Sequence, residues 1–377
     1  MKILVIGGAG FIGSHTVDAL VERGHDVWIL DYYIRKVHGP KPDDATRAQE
    51  RIIGDVTSPT TLERALRGAE AVYHFAAHQD YLPDFPTFVR VNVESIALLY
   101  EIIVEKKLPI QKVILASSQA VYGEGDYYCK HKGRVRPPMR SEARLLEGKW
   151  AVECPCGASH DDWHPTSEIT APGPHNAYGL SKLAGEQFAL NLGAQYGIPT
   201  VVLRYSIVQG PRQSFYNAYS GACRIFCLAA HLGLRPTIYE DGRQVRDYVN
   251  IHDVVDANLL VLDHDVHSKM RTASTPAVFN VGGGKAVTVL ELAETVSRVF
   301  GKPLNTEIPG KFRFGDVRHV VSDITRMKYL GWEPKHTVED SVREYKAWLE
   351  TLDPADTLTY AAKHMAKLGV VRSANHA

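Results

Sequence analysis

Tyr178 and Lys182 stand four residues apart in a stretch, residues 176–196, whose apolar positions repeat at helical spacing. On a helix that separation puts both side chains on one face. An ammonium beside a phenol favours the phenolate and lowers a pKa that is ordinarily about 10. A tyrosine tuned in this way takes a proton from an alcohol near neutral pH. Ser118 stands at the carboxyl end of an expected strand, residues 112–116, where its hydroxyl can relay or orient the same proton. Alone, a Tyr-xxx-Lys pair is usually a solvated helix face, so its meaning depends on its neighbours.

Residues 2–31 supply one. Residues 3–6 are continuously apolar, as in a strand buried on both faces. Gly7, Gly10 and Gly13 follow at three-residue spacing. A helical pattern then runs through Ile12, Val17, Leu20 and Val21, and a second apolar strand ends on Asp31. Gly7 permits a tight turn. Gly10, beside Phe11 and Ile12, leaves the backbone N–H groups at the helix start open to a pyrophosphate, and Gly13 lets helix and strand pack closely. Asp31 stands where a carboxylate accepts hydrogen bonds from an adenosine ribose and repels a 2′-phosphate. NAD is therefore the expected cofactor, although the nearby Arg35 and Lys36 act in the opposite sense.

The elements that must position these groups alternate regularly. A third strand at 51–53 leads into Gly54, Asp55 and Val56, and a helix at 61–66 precedes a fourth strand at 72–75. Ala76 and Ala77 end that strand with side chains small enough for a dinucleotide to lie close. Asp55 can meet an adenine amino group or simply cap a turn. A helix at 92–106, a fifth strand at 112–116 and a sixth at 200–203 complete a pattern that argues α/β, a doubly wound parallel sheet. Residues 124–168 break the pattern and read as an insertion. From 205 onward glycine, proline and aromatics become frequent. Helices are expected at 224–231, 290–300 and 338–349, a strand at 278–281, and a weakly helical, frayed tail at 353–377.

Composition narrows the classes. The chain has 377 residues, 45% hydrophobic and 23% charged, with zero formal net charge, which suits a globular fold and gives no support for nucleic acid or an anionic membrane as partner. No apolar run is long enough to span a bilayer. A first strand beginning at Lys2 leaves no room for a signal peptide, and five cysteines read as reduced thiols, so a cytoplasmic location is expected.

Together these features resemble the extended short-chain dehydrogenase/reductases of the NAD-dependent nucleotide-sugar epimerase/dehydratase family. The matching residues are the glycine turn, Asp31, Asp55-Val56, His74-Phe75-Ala76-Ala77, Asn92, Ser117-Ser118-xx-Val121-Tyr122-Gly123, Tyr178-xxx-Lys182 and Arg246-Asp247-Tyr248-Val249. The resemblance implies a Rossmann domain at 1–204, carrying the insertion, with 246–283 returning to it. It also implies a smaller, discontinuous carboxyl-terminal domain at 205–245 and 284–352 that holds a nucleoside-diphosphate sugar (UDP-, dTDP- or GDP-linked). Ser118, Tyr178 and Lys182 become the catalytic group, Asn92 joins the cofactor contacts, and Ser118, Gln119, Arg246 and Arg313 face the substrate. A guanidinium suits phosphate oxygens; for either arginine a structural ion pair is the lesser alternative.

The family's dehydratases carry Asp-Glu after the active-site hydroxyl; Gln119 and Ala120 stand there instead. The reading is thus C4 epimerisation through a 4-keto sugar, in the manner of UDP-galactose 4-epimerase-like members. The alternatives are a 4-ketoreductase, a decarboxylase, and a non-catalytic dinucleotide sensor. Where the family usually has an asparagine after the sixth strand, this chain has Ser206. The insertion resembles a cysteine-bearing insertion of some bacterial relatives, including ones acting on dTDP-rhamnose. Cys129, His131, Cys154 and Cys156 are candidate zinc ligands in it, against incidental thiols on a flap beside the cleft, and its basic edge (His131, Lys132, Arg134, Arg136) is a candidate anion contact. Cys223 and Cys227, one helical turn apart, read as core thiols. Helices 92–106 and 176–196 carry more apolar residues than a single sheet-facing stripe uses, and family dimers pair those helices, so a homodimer is expected.

Overall fold

Ile3 and Val5 face one side of the first strand and Leu4 and Ile6 the other, and each pair enters a separate buried apolar cluster. Such two-sided burial needs helices on both faces of a sheet. The computed structural model describes residues 1–39, 46–81, 83–154, 156–157, 159–160, 162–214, 216, 221–264, 276–352, 363, 366–367 and 369–374. Its main sheet has seven parallel strands in the order Val278–Val281, Thr200–Tyr205, Lys112–Ser118, Ala71–His74, Lys2–Ile6, Asp26–Asp31 and Glu50–Ile53. This is the doubly wound Rossmann arrangement. Helices Phe11–Glu22 and Ile251–Asp263 contribute Val17, Leu20, Val254 and Val261 to one face, and Pro59–Leu66 and Ser95–Glu105 contribute Leu62, Leu66, Ile96 and Leu99 to the other.

A second, three-stranded sheet joins Ile207–Gln209, Val245–Asn250 and Ala286–Thr288. Beside it, helices Ala222–Leu232, Val289–Phe300 and Val338–Glu350 bury Phe226, Leu292, Val296 and Tyr345 together. Both later helices open on a capping box, Thr288 with Glu291 and Thr337 with Asp340, which satisfies N–H groups that a helix start leaves unpaired. Among the described residues, no helix is long and apolar enough to cross a membrane.

Two expectations need correction, and the insertion adds elements of its own. The helix expected at 92–106 starts earlier, as Phe85–Val89, and passes through a wide π turn, Arg90–Glu94, before the regular helix Ser95–Glu105. Asn92 lies buried in that turn. The insertion, for which no elements were expected, carries short strands: Trp163–His164, Asp126–Cys129 and Gly133–Val135 form an antiparallel sheet, and Val152–Glu153 pairs with Ser159–His160. Strands of two to four residues are too short to show a period in sequence. The tail is not wholly frayed, because Val371–Ser373 pairs antiparallel with Lys311–Arg313; most of its expected helical segment lies outside the described residues.

Candidate active site

The strand order reverses between Lys2–Ile6 and Ala71–His74, the place where a doubly wound sheet opens a crevice at its carboxyl edge. A cleft of about 790 Å³ lies there, lined by the loops that leave the sheet strands and by the smaller sheet. Every site residue expected from the sequence lines it except Asn92 and the candidate zinc ligands. Asn92 instead works from behind the wall. Its Oδ1 accepts from the His78 N–H at 2.7 Å, and its Nδ2 donates to the His78 carbonyl at 2.9 Å and the Ser181 hydroxyl at 2.8 Å. These three bonds tie the loop after Ala76–Ala77 to the helix Ala177–Tyr196.

At one end, Gly7 adopts φ +78°, and a Cβ there would come within 2.5 Å of the Ala76 nitrogen. A Cβ on Gly13 would collide with the Gly7 carbonyl oxygen. Gly10 differs: its added Cβ would meet nothing nearer than the Gly7 oxygen at 3.3 Å, so the space it leaves belongs to the cleft. Asp31 accepts from the Ala9 N–H at 3.0 Å and the Tyr33 N–H at 2.9 Å, and His38 Nε2 lies 3.4 Å away. The carboxylate thus braces the glycine turn while lining the cleft. Asp55 caps its own turn through Thr57 and lines the cleft as well. A glycine cradle open to the cleft, a helix start and an acid at the second strand end fit the pyrophosphate and adenosine ribose of NAD.

In the middle of the cleft the helix Ala177–Tyr196 starts on Asn176, whose side chain accepts from the Gly179 N–H at 2.8 Å. Tyr178 is bonded to Ser118, whose hydroxyl also accepts from the Ala120 N–H at 3.1 Å. The expected lowering of the tyrosine pKa is absent here. Burial pushes the phenol up to about 12, only partly offset by Ser118, and Lys182 donates to the Ala116 carbonyl at 2.8 Å, its ammonium 6.0 Å from the phenol ring. Burial also lowers Lys182 to about 8, opposed by Glu186. Desolvation outweighs the pair attraction that spacing alone suggests. Sequence reading missed Glu186, although it lies on the same helical face, four residues beyond Lys182. It takes the Arg204 guanidinium at 2.7 Å and the Ser117 hydroxyl, tying this helix to two strands.

At the far end, both expected arginines line the cleft with their donors partly committed. Arg246 donates to the carbonyls of Val245, Val317 and Arg318 at 2.8–2.9 Å. Arg313 is stacked between Tyr81 and Tyr239, 4.8 and 4.9 Å from their ring centres, and pairs with Asp316 at 2.7 Å. The Ser206 hydroxyl donates to Asp247 at 2.7 Å. Gln119, Gln213 and Gln244 line the cleft with a buried Oε1 that has no partner among the described residues, and so does the Tyr248 hydroxyl. Such atoms are costly to bury unless a ligand supplies the bond. No local sequence signal marked Gln213 or Gln244, whose roles depend on two distant loops meeting.

The insertion is anchored at this end. Glu124 accepts from the Arg318 N–H at 2.7 Å, and Arg140 reaches Glu124 at 3.2 Å, Glu240 at 2.8 Å and the Asp316 carbonyl at 2.8 Å. The loop 313–318 that lines the cleft is therefore held by the insertion. The residues of the expected basic edge, His131, Lys132, Arg134 and Arg136, are all exposed; Arg134 pairs with Asp126 inside the insertion, and Arg136 donates to the Ala171 carbonyl just beyond it. Cys129, Cys154 and Cys156 converge, whereas His131 is not part of their cluster. Cys223 and Cys227 are buried in an apolar cluster, as expected.

The family model described as NAD dependent epimerase/dehydratase matches residues 3–141 and 153–282. The chain is 30% identical over 356 residues to the dTDP-L-rhamnose 4-epimerase of Burkholderia thailandensis, covering 92% of this chain and 94% of that protein. It is 29% identical over 375 residues to the UDP-glucose 4-epimerase of Azospirillum brasilense, covering 93% of each. Among solved structures, it superposes on the UDP-glucose 4-epimerase of Thermotoga maritima with UDP-glucose at a TM-score of 0.72 and 29% identity, covering 93% of this chain and 99% of that one. The corresponding Thermus thermophilus enzyme in complex with NAD gives a TM-score of 0.72 at 26% identity, covering 94% of this chain and 100% of that one.

Proposed function

The chain belongs to the NAD-dependent epimerase/dehydratase family, and from that premise we propose that it interconverts a nucleoside-diphosphate sugar with its C4 epimer through a transient 4-keto sugar. When bound, NAD supplies the acceptor and donor of the hydride. The glycine turn at Gly7, Gly10 and Gly13, with Phe11 and Ile12, binds the pyrophosphate through backbone N–H groups. Asp31 orients the adenosine ribose. Asp55, Val56, Ala76 and Ala77 line the remaining path of the dinucleotide.

Tyr178 removes the proton from the sugar 4-hydroxyl and returns it once the sugar has turned its other face to the cofactor. Ser118 keeps the phenol aimed, and the positive charge of Lys182 favours its ionised form. A bound cationic nicotinamide acts in the same direction on a phenol that burial holds protonated. Arg246 and Arg313 mark the end where the sugar's diphosphate lies, with Gln119 beside the ring. On this assignment the smaller sheet and its helices receive the nucleotide sugar while the large sheet holds NAD.

The observation that carries the reading is the Tyr178–Ser118 bond in the same cleft as the glycine turn, with Gln119 and Ala120 following Ser118. Epimerisation needs one group to move a proton on and off the same oxygen; water elimination needs an additional acid and base that neither residue provides. Incubation with NAD and UDP-glucose or dTDP-L-rhamnose, with products separated by chromatography, tests it. Interconversion of C4 epimers is expected without added reductant. Loss of water from UDP-glucose instead would refute it.

The same reading includes a homodimer. Leu180 and Phe188 lie exposed on one face of the catalytic helix, and Phe85 and Val89 are exposed on the helix packed against it. The five cysteines are all free thiols, which suits the reducing cytoplasm.

A further inference from the structure

The two arms of the insertion meet at sulfur. Cys129 ends the strand Asp126–Cys129 at the tip of a hairpin, and Cys154 and Cys156 follow the short strand Val152–Glu153. Their three Sγ atoms all lie within 4.8 Å of one another, with Cys129 and Cys154 buried and Cys156 exposed. We propose that these three cysteines bind one zinc ion, which holds the insertion closed on itself.

The spacing of the sulfurs fits shared metal ligands better than a bonded pair. Cys129 and Cys156 are 3.6 Å apart. A disulfide needs about 2.05 Å. Two ligands on a tetrahedral ion with Zn–S bonds of about 2.3 Å stand about 3.8 Å apart. The backbone is shaped for thiolates as well. The His131 N–H donates to Cys129 Sγ at 3.4 Å, and the chain turns immediately after it, with Lys132 N–H bonded to the Cys129 carbonyl at 3.2 Å. After Cys156 the chain turns again at Gly157, whose φ of +85° few other residues adopt and whose N–H bonds the Cys154 carbonyl at 2.8 Å. Three thiolates on a divalent ion leave one net negative charge, and the exposed Lys130 and Lys132 flank it. Soft thiolates select zinc over hard oxygen-seeking cations. The remaining tetrahedral position falls to a fourth donor.

The insertion has need of such a staple. Its strands are two to four residues long, and its buried side chains belong to none of the three large apolar clusters. Modules that cannot bury a core of their own are held by metals or disulfides. Cys223 and Cys227 make the contrast: 3.9 Å apart inside an apolar cluster, they have no third donor among the described residues and belong to no candidate metal group. The hairpin begins at Asp126, two residues from Glu124, which fixes the loop at Arg318. The metal thus supports the far wall of the cleft, away from the glycine turn.

Metal analysis of protein prepared without chelator should find one zinc per chain, released when a mercurial titrates the thiols. Cys154→Ser and Cys156→Ser should each lose it, while Cys223→Ser retains it. Cobalt(II) in place of zinc should show the absorption of a tetrahedral thiolate site. Reduced wild-type protein that carries no zinc and takes none up on titration would overturn the proposal, as would a Cys129–Cys156 disulfide in protein isolated under thiol-trapping conditions. Because these readouts use the wild-type chain, they decide the matter even if the serine variants fail to fold.

Discussion

Lys182 reaches past Tyr178: its ammonium lies 6.0 Å from the phenol ring and bonds the Ala116 carbonyl at 2.8 Å, leaving Ser118 as the tyrosine's direct partner. On the proposed mechanism Lys182 therefore acts through its charge and through the position of the strand end, and the phenol makes and breaks the O–H bond. Tyr178→Phe should lower turnover by about 10²- to 10⁴-fold, the usual contribution of a general acid–base group, while NAD still binds. Steady-state kinetics with a fluorescence titration of the cofactor check it. Wild-type turnover in the variant would remove Tyr178 from the mechanism.

Lys182 also sets a pH dependence of stability. Burial lowers its pKa from the ordinary 10.5 to about 8. Between those values the unfolded chain holds more protons than the folded one, so this residue's contribution to stability rises with pH across the window and is most unfavourable below about 8. The shift corresponds to an order of 3 kcal/mol. Thermal melts of wild type and Lys182→Met, run side by side from about pH 7 to about pH 10.5, should move in favour of wild type as pH rises. A constant difference across that range would contradict it.

Asp31 holds the glycine turn through Ala9 and Tyr33 and, on the proposed binding mode, the ribose of NAD. Asp31→Asn should weaken NAD by about 10- to 100-fold, in line with hydrogen bonds to a charged group worth about 1.5–3 kcal/mol. Calorimetric titration with NAD and NADP should show the preference for NAD shrinking, because the charge that repels a 2′-phosphate is gone. A wild type that prefers NADP would show that Arg35 or Lys36 governs the choice.

Much of this was legible because it is local. A buried parallel strand writes itself as a continuous apolar run, a glycine turn as three glycines, and a helix face as Tyr178 and Lys182 four apart. What escaped depends on burial or on distance along the chain. The tyrosine's raised pKa comes from desolvation, which no spacing reveals. The wide turn at Asn92 forms where a side chain folds inward to His78. The bond network of Glu124, Arg140, Glu240 and Arg318 spans nearly two hundred residues. The cysteines were visible, but that three of them converge without His131 required the fold.

The exposed face of Leu180 and Phe188 gives an assembly prediction. A two-fold contact pairs this face with itself, so one substitution acts twice. Phe188→Glu should shift the protein from dimer to monomer in sedimentation velocity at micromolar concentration, without loss of NAD. Sedimentation of the wild type as a monomer would contradict the homodimer.

The most direct test of the account is the fate of the hydrogen at C4. A nucleotide sugar carrying deuterium at that carbon, incubated with the enzyme and catalytic NAD in ordinary water, should yield the C4 epimer with the label retained, as read by mass spectrometry and NMR. Retention follows if the hydride leaves and returns within one cleft while Tyr178 handles only the hydroxyl proton. Loss of the label to solvent, or a product that accumulates only with stoichiometric reduction of NAD, would contradict it.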